Sequence, residues 1–167
     1  TQGILYTRLI MTGQPLIGDQ TAASENIRIT VNYKATDGTK IDPARLEQGT
    51  DFIAEVMVHN PGTKGRYEEM ALTQIFPSGW EILNTRMSNF TNLNNATRPE
   101  YQDIRDDRVY TYFDIKNGSR HVYRIHLNAA YEGRYYLPTV SCEAMYDNTI
   151  NARVPGEWVE VVKVGEM

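Results

Sequence analysis

The chain has 167 residues, 41% of them hydrophobic and 23% charged, with a net charge of −4. That length fits one domain, able to bury about two thirds of its unfolded surface without covalent staples, and its one cysteine excludes an internal disulfide. Lys and Arg are scattered rather than gathered into a stripe, which argues against a nucleic-acid partner. No apolar run reaches the roughly 18 to 20 residues of a membrane span, so direct membrane insertion is not expected. The opening TQGILYTRL has neither the basic nor the apolar region of a secretion signal and begins mid-pattern without Met, as an excised piece of a longer protein would.

Period-two alternation dominates from there on. In NIRITVNYKA, Ile27, Ile29, Val31 and Tyr33 share one face and Arg28, Thr30, Asn32 and Lys34 the other, which predicts a half-buried strand. Asp37-Gly38 marks a turn. In IDPARLEQGT, Asp42 is placed to cap a helix, Pro43 to open it and Gly49 to stop it, which predicts a short helical turn. DFIAEVMVHN alternates again, with Phe52, Ala54, Val56 and Val58 inward and Glu55 and His59 outward, before Asn60-Pro61-Gly62 breaks it. EEMALTQIF and GWEI read as strands around a Pro77-Ser78-Gly79 turn. Residues 84–107 are the least patterned and read as a long loop with room for a short helix.

RVYTYFDIKNGSRHVYRIHLNAAY carries the clearest local signal. Val109, Thr111, Phe113 and Ile115 share a face, Asn117-Gly118 supplies the positive φ of a tight turn, and Tyr123, Ile125, Leu127 and Ala129 answer on the return, which predicts a paired hairpin. The stretch from Tyr131 to Val162 closes the pattern with two extended apolar segments around a polar loop that holds Met145 and Tyr146. Seven or more strands with almost no helix predict an all-β, antiparallel β-sandwich with at most one or two short helices in its loops.

Catalytic and metal-binding patterns are not met. His121 and His126 lie an odd number of residues apart on one strand, so their side chains point to opposite faces, and His59 stands alone. Asp103, Asp106 and Asp107 alternate with Arg105 and Arg108 and lack the turn glycine of a calcium loop. No G-x-S-x-G elbow or phosphate-cradling glycine cluster occurs, and Cys142 sits at an alternating strand position as a small buried apolar residue. The triplets at Asn89, Asn95 and Asn117 have the form of glycan acceptors but are of a kind that Asn-rich loops generate by chance. The reading is a non-enzyme without metal or cofactor. Eleven tyrosines stand out, and alternation cannot bury both Met145 and Tyr146 on one core face, so one of them is expected to be exposed apolar surface of the kind that marks interaction sites.

Taken with TDFIAEVMVHNP (50–61), ALTQIFPSGWEI (71–82), DIRDDRVYTYFDI (103–115) and YEGRYYLPTVSCEAMYDNTINARVPGEWVEVV (131–162), the chain resembles, from GDQTAA at 18–23 to WVEVV at 158–162, the C-terminal macroglobulin-like domain of bacterial alpha-2-macroglobulins. The resemblance implies that residues 1–167 form a single macroglobulin-like domain, with immunoglobulin-like architecture, from a much larger protease-trapping protein of the periplasm or cell envelope. In such proteins a Cys-x-Glu-Gln thioester lies in a neighbouring domain, and the terminal domain packs on it and shields the bond. Cys142 is followed by Glu143-Ala144-Met145, so this chain has no thioester of its own. Its implied partners are the thioester domain of the parent chain and, through the parent, trapped proteases. Met145, Tyr146, Tyr131 and Tyr135 are the residues expected at the docking surface. The alternative is a free-standing extracellular sandwich binding carbohydrate or protein through exposed tyrosines.

Overall fold

The computed structural model describes residues 3–13, 21–83 and 96–166, and among these it contains strands and no helix. Three sheets make two layers. The first layer is a six-stranded sheet built from β1 (Ala23–Glu25), β6 (Tyr67–Ile75), β8 (Tyr101–Ile104), β9 (Arg108–Ile115), β12 (Val140–Ala144) and β13 (Asp147–Val154), in the order β1-β13-β12-β6-β9-β8. It continues as a three-stranded sheet of β11 (Gly133–Leu137), β14 (Glu157–Val162) and β4 (Arg45–Glu47). Facing both is a five-stranded sheet of β2 (Arg28–Ala35), β3 (Lys40–Ile41), β5 (Asp51–His59), β7 (Trp80–Leu83) and β10 (Arg120–Ala129), in the order β3-β2-β5-β10-β7.

The core divides along the length of the five-stranded sheet. Val56, Val58 and Tyr123 pack with Met70, Leu72, Phe113, Cys142 and Ile150 of the six-stranded sheet. Phe52, Ala54, Ile125 and Leu127 pack instead with Leu46, Leu137, Val159 and Val161 of the three-stranded sheet, around Trp80. Each long strand supplies its alternate residues to this core, as its period of two requires.

The predicted hairpin at 109–131 does not pair with itself. The Asn117-Gly118 turn is present, with Gly118 at φ +69° and the Ser119 amide donating to the Lys116 carbonyl at 3.1 Å. It carries the chain from one layer to the other, however: β9 pairs with β6 and β8, and β10 with β5 and β7. The matched apolar faces of β9 and β10 therefore look at each other across the core, and Phe113 meets Tyr123 with ring centroids 5.1 Å apart. The same crossing follows β6, because β7 joins β10 in the opposite sheet.

Two further expectations are corrected. Asp42 caps no helix; its carboxylate accepts the Ala44 amide at 3.0 Å in a tight turn, and β4 follows. Leu46 is 5% exposed, and its burial against β14 outweighs the weak local preference for helix. The β4–β14 pair is parallel, whereas the other paired strands among the described residues are antiparallel. In the stretch read as a loop, Tyr101–Ile104 forms β8 on the edge of the six-stranded sheet; the rest of that reading, and the triplets at 89 and 95, fall largely on residues 84–95, outside the described residues.

Candidate docking surface

Met145 and Tyr146 form the two-residue turn between β12 and β13, where Ala144 pairs with Asp147. Met145 is 45% and Tyr146 87% exposed. Both strands under the turn are irregular: the β12–β13 register shifts at Glu143/Ala144, and the β6–β9 register shifts between Tyr67 and Met70. Glu69 absorbs the second shift with φ +52°, a backbone region that a non-glycine residue occupies at a cost. This bulge aims the Glu69 carbonyl at the turn, where it accepts the Met145 amide at 3.0 Å, while the Glu69 amide donates to Asp114 at 3.0 Å.

The flank of the turn is braced as well. Asp147 accepts the Thr149 amide at 3.0 Å and the Lys64 ammonium at 3.1 Å, and its hydrogen bonds with Thr149, followed by that from Lys64, hold its carboxyl below the usual range. Asn26 donates to the Thr149 carbonyl at 2.8 Å, and the Tyr67 hydroxyl donates to the Asn26 carbonyl at 2.7 Å. Two apolar side chains thus stand in solvent on a turn fixed from below and from the side.

Tyr131 and Tyr135 lie at the other end of the sandwich, beyond the level of Ala129 and Trp80. Along β10, the six steps from Tyr123 to Ala129 alone span roughly 20 Å, so the structure does not bring these tyrosines together with Met145 and Tyr146. Tyr131 is 55% exposed, but its hydroxyl donates to Glu81 at 2.8 Å. Tyr135 is half-buried, its hydroxyl donating to the Glu132 carbonyl at 2.9 Å and its ring lying on Gly79. A Cβ at Gly79 would fall 2.2 Å from that ring. Glycine is needed there by close approach, and Tyr135 acts as packing.

The residues weighed for chemistry stay apart. Cys142 is fully buried, and burial pushes its thiol well above its ordinary range; such a sulfur is neither a ready nucleophile nor an acyl carrier. His121 packs against Phe113 and Tyr123 on the inner face, and His126 lies buried on the outer face of the same strand, as their spacing predicts. Burial holds both imidazoles below their usual range. Among the described residues, no group of three or more His, Cys, Asp or Glu side chains is placed to hold a metal ion, and no helix is long and apolar enough to cross a membrane.

Two exposed aromatics on the strands of the sandwich escaped the sequence reading. Tyr101, 63% exposed, stacks on Tyr112 with centroids 5.9 Å apart and planes 28° apart. Trp158, 51% exposed on the outer face of β14, carries the Arg134 guanidinium 4.8 Å above its ring. Tyr101 was concealed because its strand lacks apolar alternation, and Trp158 because an alternating strand does not reveal which large residues face out.

Comparison with known families and solved structures places this sandwich among macroglobulin-type modules. The family model of the bacterial alpha-2-macroglobulin MG10 domain matches residues 27–148, and the chain belongs to that family. Among solved structures, it is similar to the Y1175G mutant of Salmonella alpha-2-macroglobulin, with 21% identity and a TM-score of 0.75 over 86% of this chain and 10% of that one. It is also similar to native Escherichia coli alpha-2-macroglobulin spanning MG7 to the C-terminus, with 17% identity and a TM-score of 0.77 over 90% of this chain and 25% of that one. The E. coli protein activated by porcine elastase aligns at 18% identity and a TM-score of 0.74, covering 87% and 14%. The chain thus spans a quarter or less of these proteins. Comparison with curated protein sequences finds no match.

Proposed function

We propose that this chain is the C-terminal, tenth macroglobulin domain of a protease-trapping bacterial alpha-2-macroglobulin of the periplasm or cell envelope, a non-enzymatic module that packs on and shields the thioester domain of its parent. One observation carries the reading: Met145 and Tyr146 stand exposed on a turn held by the Glu69 bulge. A thioester survives only where water and amines are kept out. A soft methionine beside an aromatic ring can seal an irregular contact with little rearrangement, and a braced turn presents the pair at little entropic cost.

The test uses the full-length parent protein. Burying a side chain of this size is worth about 1.5–3 kcal/mol, so Met145→Ala or Tyr146→Ala should speed loss of the thioester to methylamine by about ten- to a hundredfold before any protease is added. An unchanged methylamine rate in both variants would leave the domain a scaffold and nothing more. The alternative, recognition of carbohydrate or protein through tyrosines, is favoured by the Tyr101–Tyr112 pair on the sheet edge rather than by the turn. Retention on immobilised glycans that disappears with Tyr101→Ala would select it.

A further inference from the structure

A cleft of about 520 Å³ opens on the flank of the sandwich, where β2 and β3 approach the ends of β11, β12, β13 and β14. Its walls are apolar, with Val31 and Ile41 on one side and Leu137, Val140 and Val154 on the other. Its polar groups are few: Tyr33 on β2, Lys40 on β3, Asp42 in the turn that follows, Glu157 at the start of β14, and the Asn32 amide. Clefts of this size, apolar with a few convergent polar groups, are the usual form of a ligand site.

Two observations indicate what it would take. Tyr33 is only 7% exposed, its ring wedged between Phe52 and Trp80 with centroids 6.3 and 5.8 Å away. Its hydroxyl makes no hydrogen bond with any described residue and feels the charge of Glu157. The ring is buried but the residue lines the cleft, so a polar group entering there can pair with the hydroxyl. Asp42 and Glu157, meanwhile, bring two like charges to one apolar hollow. Burial first and the Asp42 charge second push the Glu157 carboxyl above the usual range, so a cation placed between the two carboxylates would relieve a repulsion already present. Lys40 on the same rim disfavours a second positive group, which argues for a single charge.

We propose that the cleft binds an aliphatic monoammonium, its hydrocarbon chain along Val31, Ile41, Leu137, Val140 and Val154, its head donating to Glu157, Asp42 and the Tyr33 hydroxyl. A free alkylamine and the lysine side chain of a partner protein offer this same chemistry. The site is independent of the Met145–Tyr146 turn.

The experiment titrates hexylammonium, hexanol and a capped tripeptide with a central lysine into the 15N-labelled 167-residue chain, following amide shifts. Hexylammonium should give saturable shifts confined to the cleft strands and bind at least about tenfold more tightly than hexanol. Glu157→Gln, at an exposed site, should weaken hexylammonium about tenfold and leave hexanol unchanged. Tyr33→Phe, which keeps the ring, should weaken it about threefold. A tripeptide that matches or exceeds hexylammonium assigns the site to a partner's lysine, and one at least about tenfold weaker assigns it to a free amine. Hexanol binding as tightly as hexylammonium, indifference to Glu157→Gln in a variant with wild-type melting temperature, or no saturable shift would each overturn the proposal.

Discussion

Tyr146 and Tyr135 are the same side chain at opposite ends of one sandwich, and their surroundings divide stability from contact. At the Tyr135 end, the ring fills the space that Gly79 leaves open, its hydroxyl is tied to the Glu132 carbonyl, and it adds to the core formed with the three-stranded sheet. At the Tyr146 end the side chain touches little, while the backbone beneath it is fixed by a bulge, an ion pair and a chain of side-chain hydrogen bonds. One end spends its tyrosine on packing. The other leaves its tyrosine in solvent, where the proposed docking would use it. The MG10 family to which the chain belongs is found in proteins several times its length, as the coverage of the Salmonella and E. coli structures shows.

Substitutions can break this contrast, beginning with the largest expected effect. Tyr135→Ala should lower stability by about 2–3 kcal/mol, the scale of a partly buried aromatic truncation, seen as a lower denaturation midpoint; a change under about 0.5 kcal/mol would show that the ring is not packing. Gly118→Val should cost about 1 kcal/mol or more, because φ +69° strains a β-branched residue although open space surrounds the site. Thermal melts of the variant check this.

Acid should weaken the fold in two windows. His121 and His126 have folded pKa values below their unfolded ones, so the unfolded chain binds more protons once the pH drops below about 6.5. Their contribution is complete above that value and is lost as pH falls toward the folded pKa values. For Glu55, burial raises the pKa, but the hydrogen bonds from Lys34 and Arg124, each 2.7 Å, outweigh it and hold the carboxyl low. Its contribution is present above the ordinary carboxylate range and is lost only in stronger acid. Melting temperature followed from pH 7 to 5 should therefore already fall in the wild type, and less in His126→Gln. The smallest effect belongs to the other end: Met145→Ala and Tyr146→Ala should each shift stability by less than about 0.5 kcal/mol, so that any change in the parent's thioester reactivity reports contact and not unfolding.

The strands themselves were legible because burial on one face writes a period of two into the sequence, as at Ile27 to Tyr33 and Phe52 to Val58. Which strands pair was not. Val109–Ile115 and Tyr123–Ala129 show the alternation expected of hairpin partners, yet two strands that face each other across a core alternate identically. Asn117-Gly118 specifies a reversal of the chain and is silent on whether the return joins the same sheet. Leu46 shows the opposite failure, in which a helix-like local signal from Asp42, Pro43 and Gly49 yields to a partner strand far along the chain. Alternation, which cannot bury both Met145 and Tyr146 on one core face, made exposure of one of them readable; the structure exposes both. The distance between their turn and Tyr131 was not readable, because it depends on the sheet order.

The parallel pairing of β4 with β14 has a consequence for biogenesis. Arg45 lies opposite Glu160, and the Gln48 amide donates to the Val162 carbonyl at 2.8 Å, so β4 waits for a strand far along the chain. Wherever the chain emerges to fold, the half of the core built around Leu46, Val159 and Val161 cannot close until Val162 has emerged as well. Until then the emerging chain carries an apolar strip with no cover, a state in which a chaperone would find its substrate.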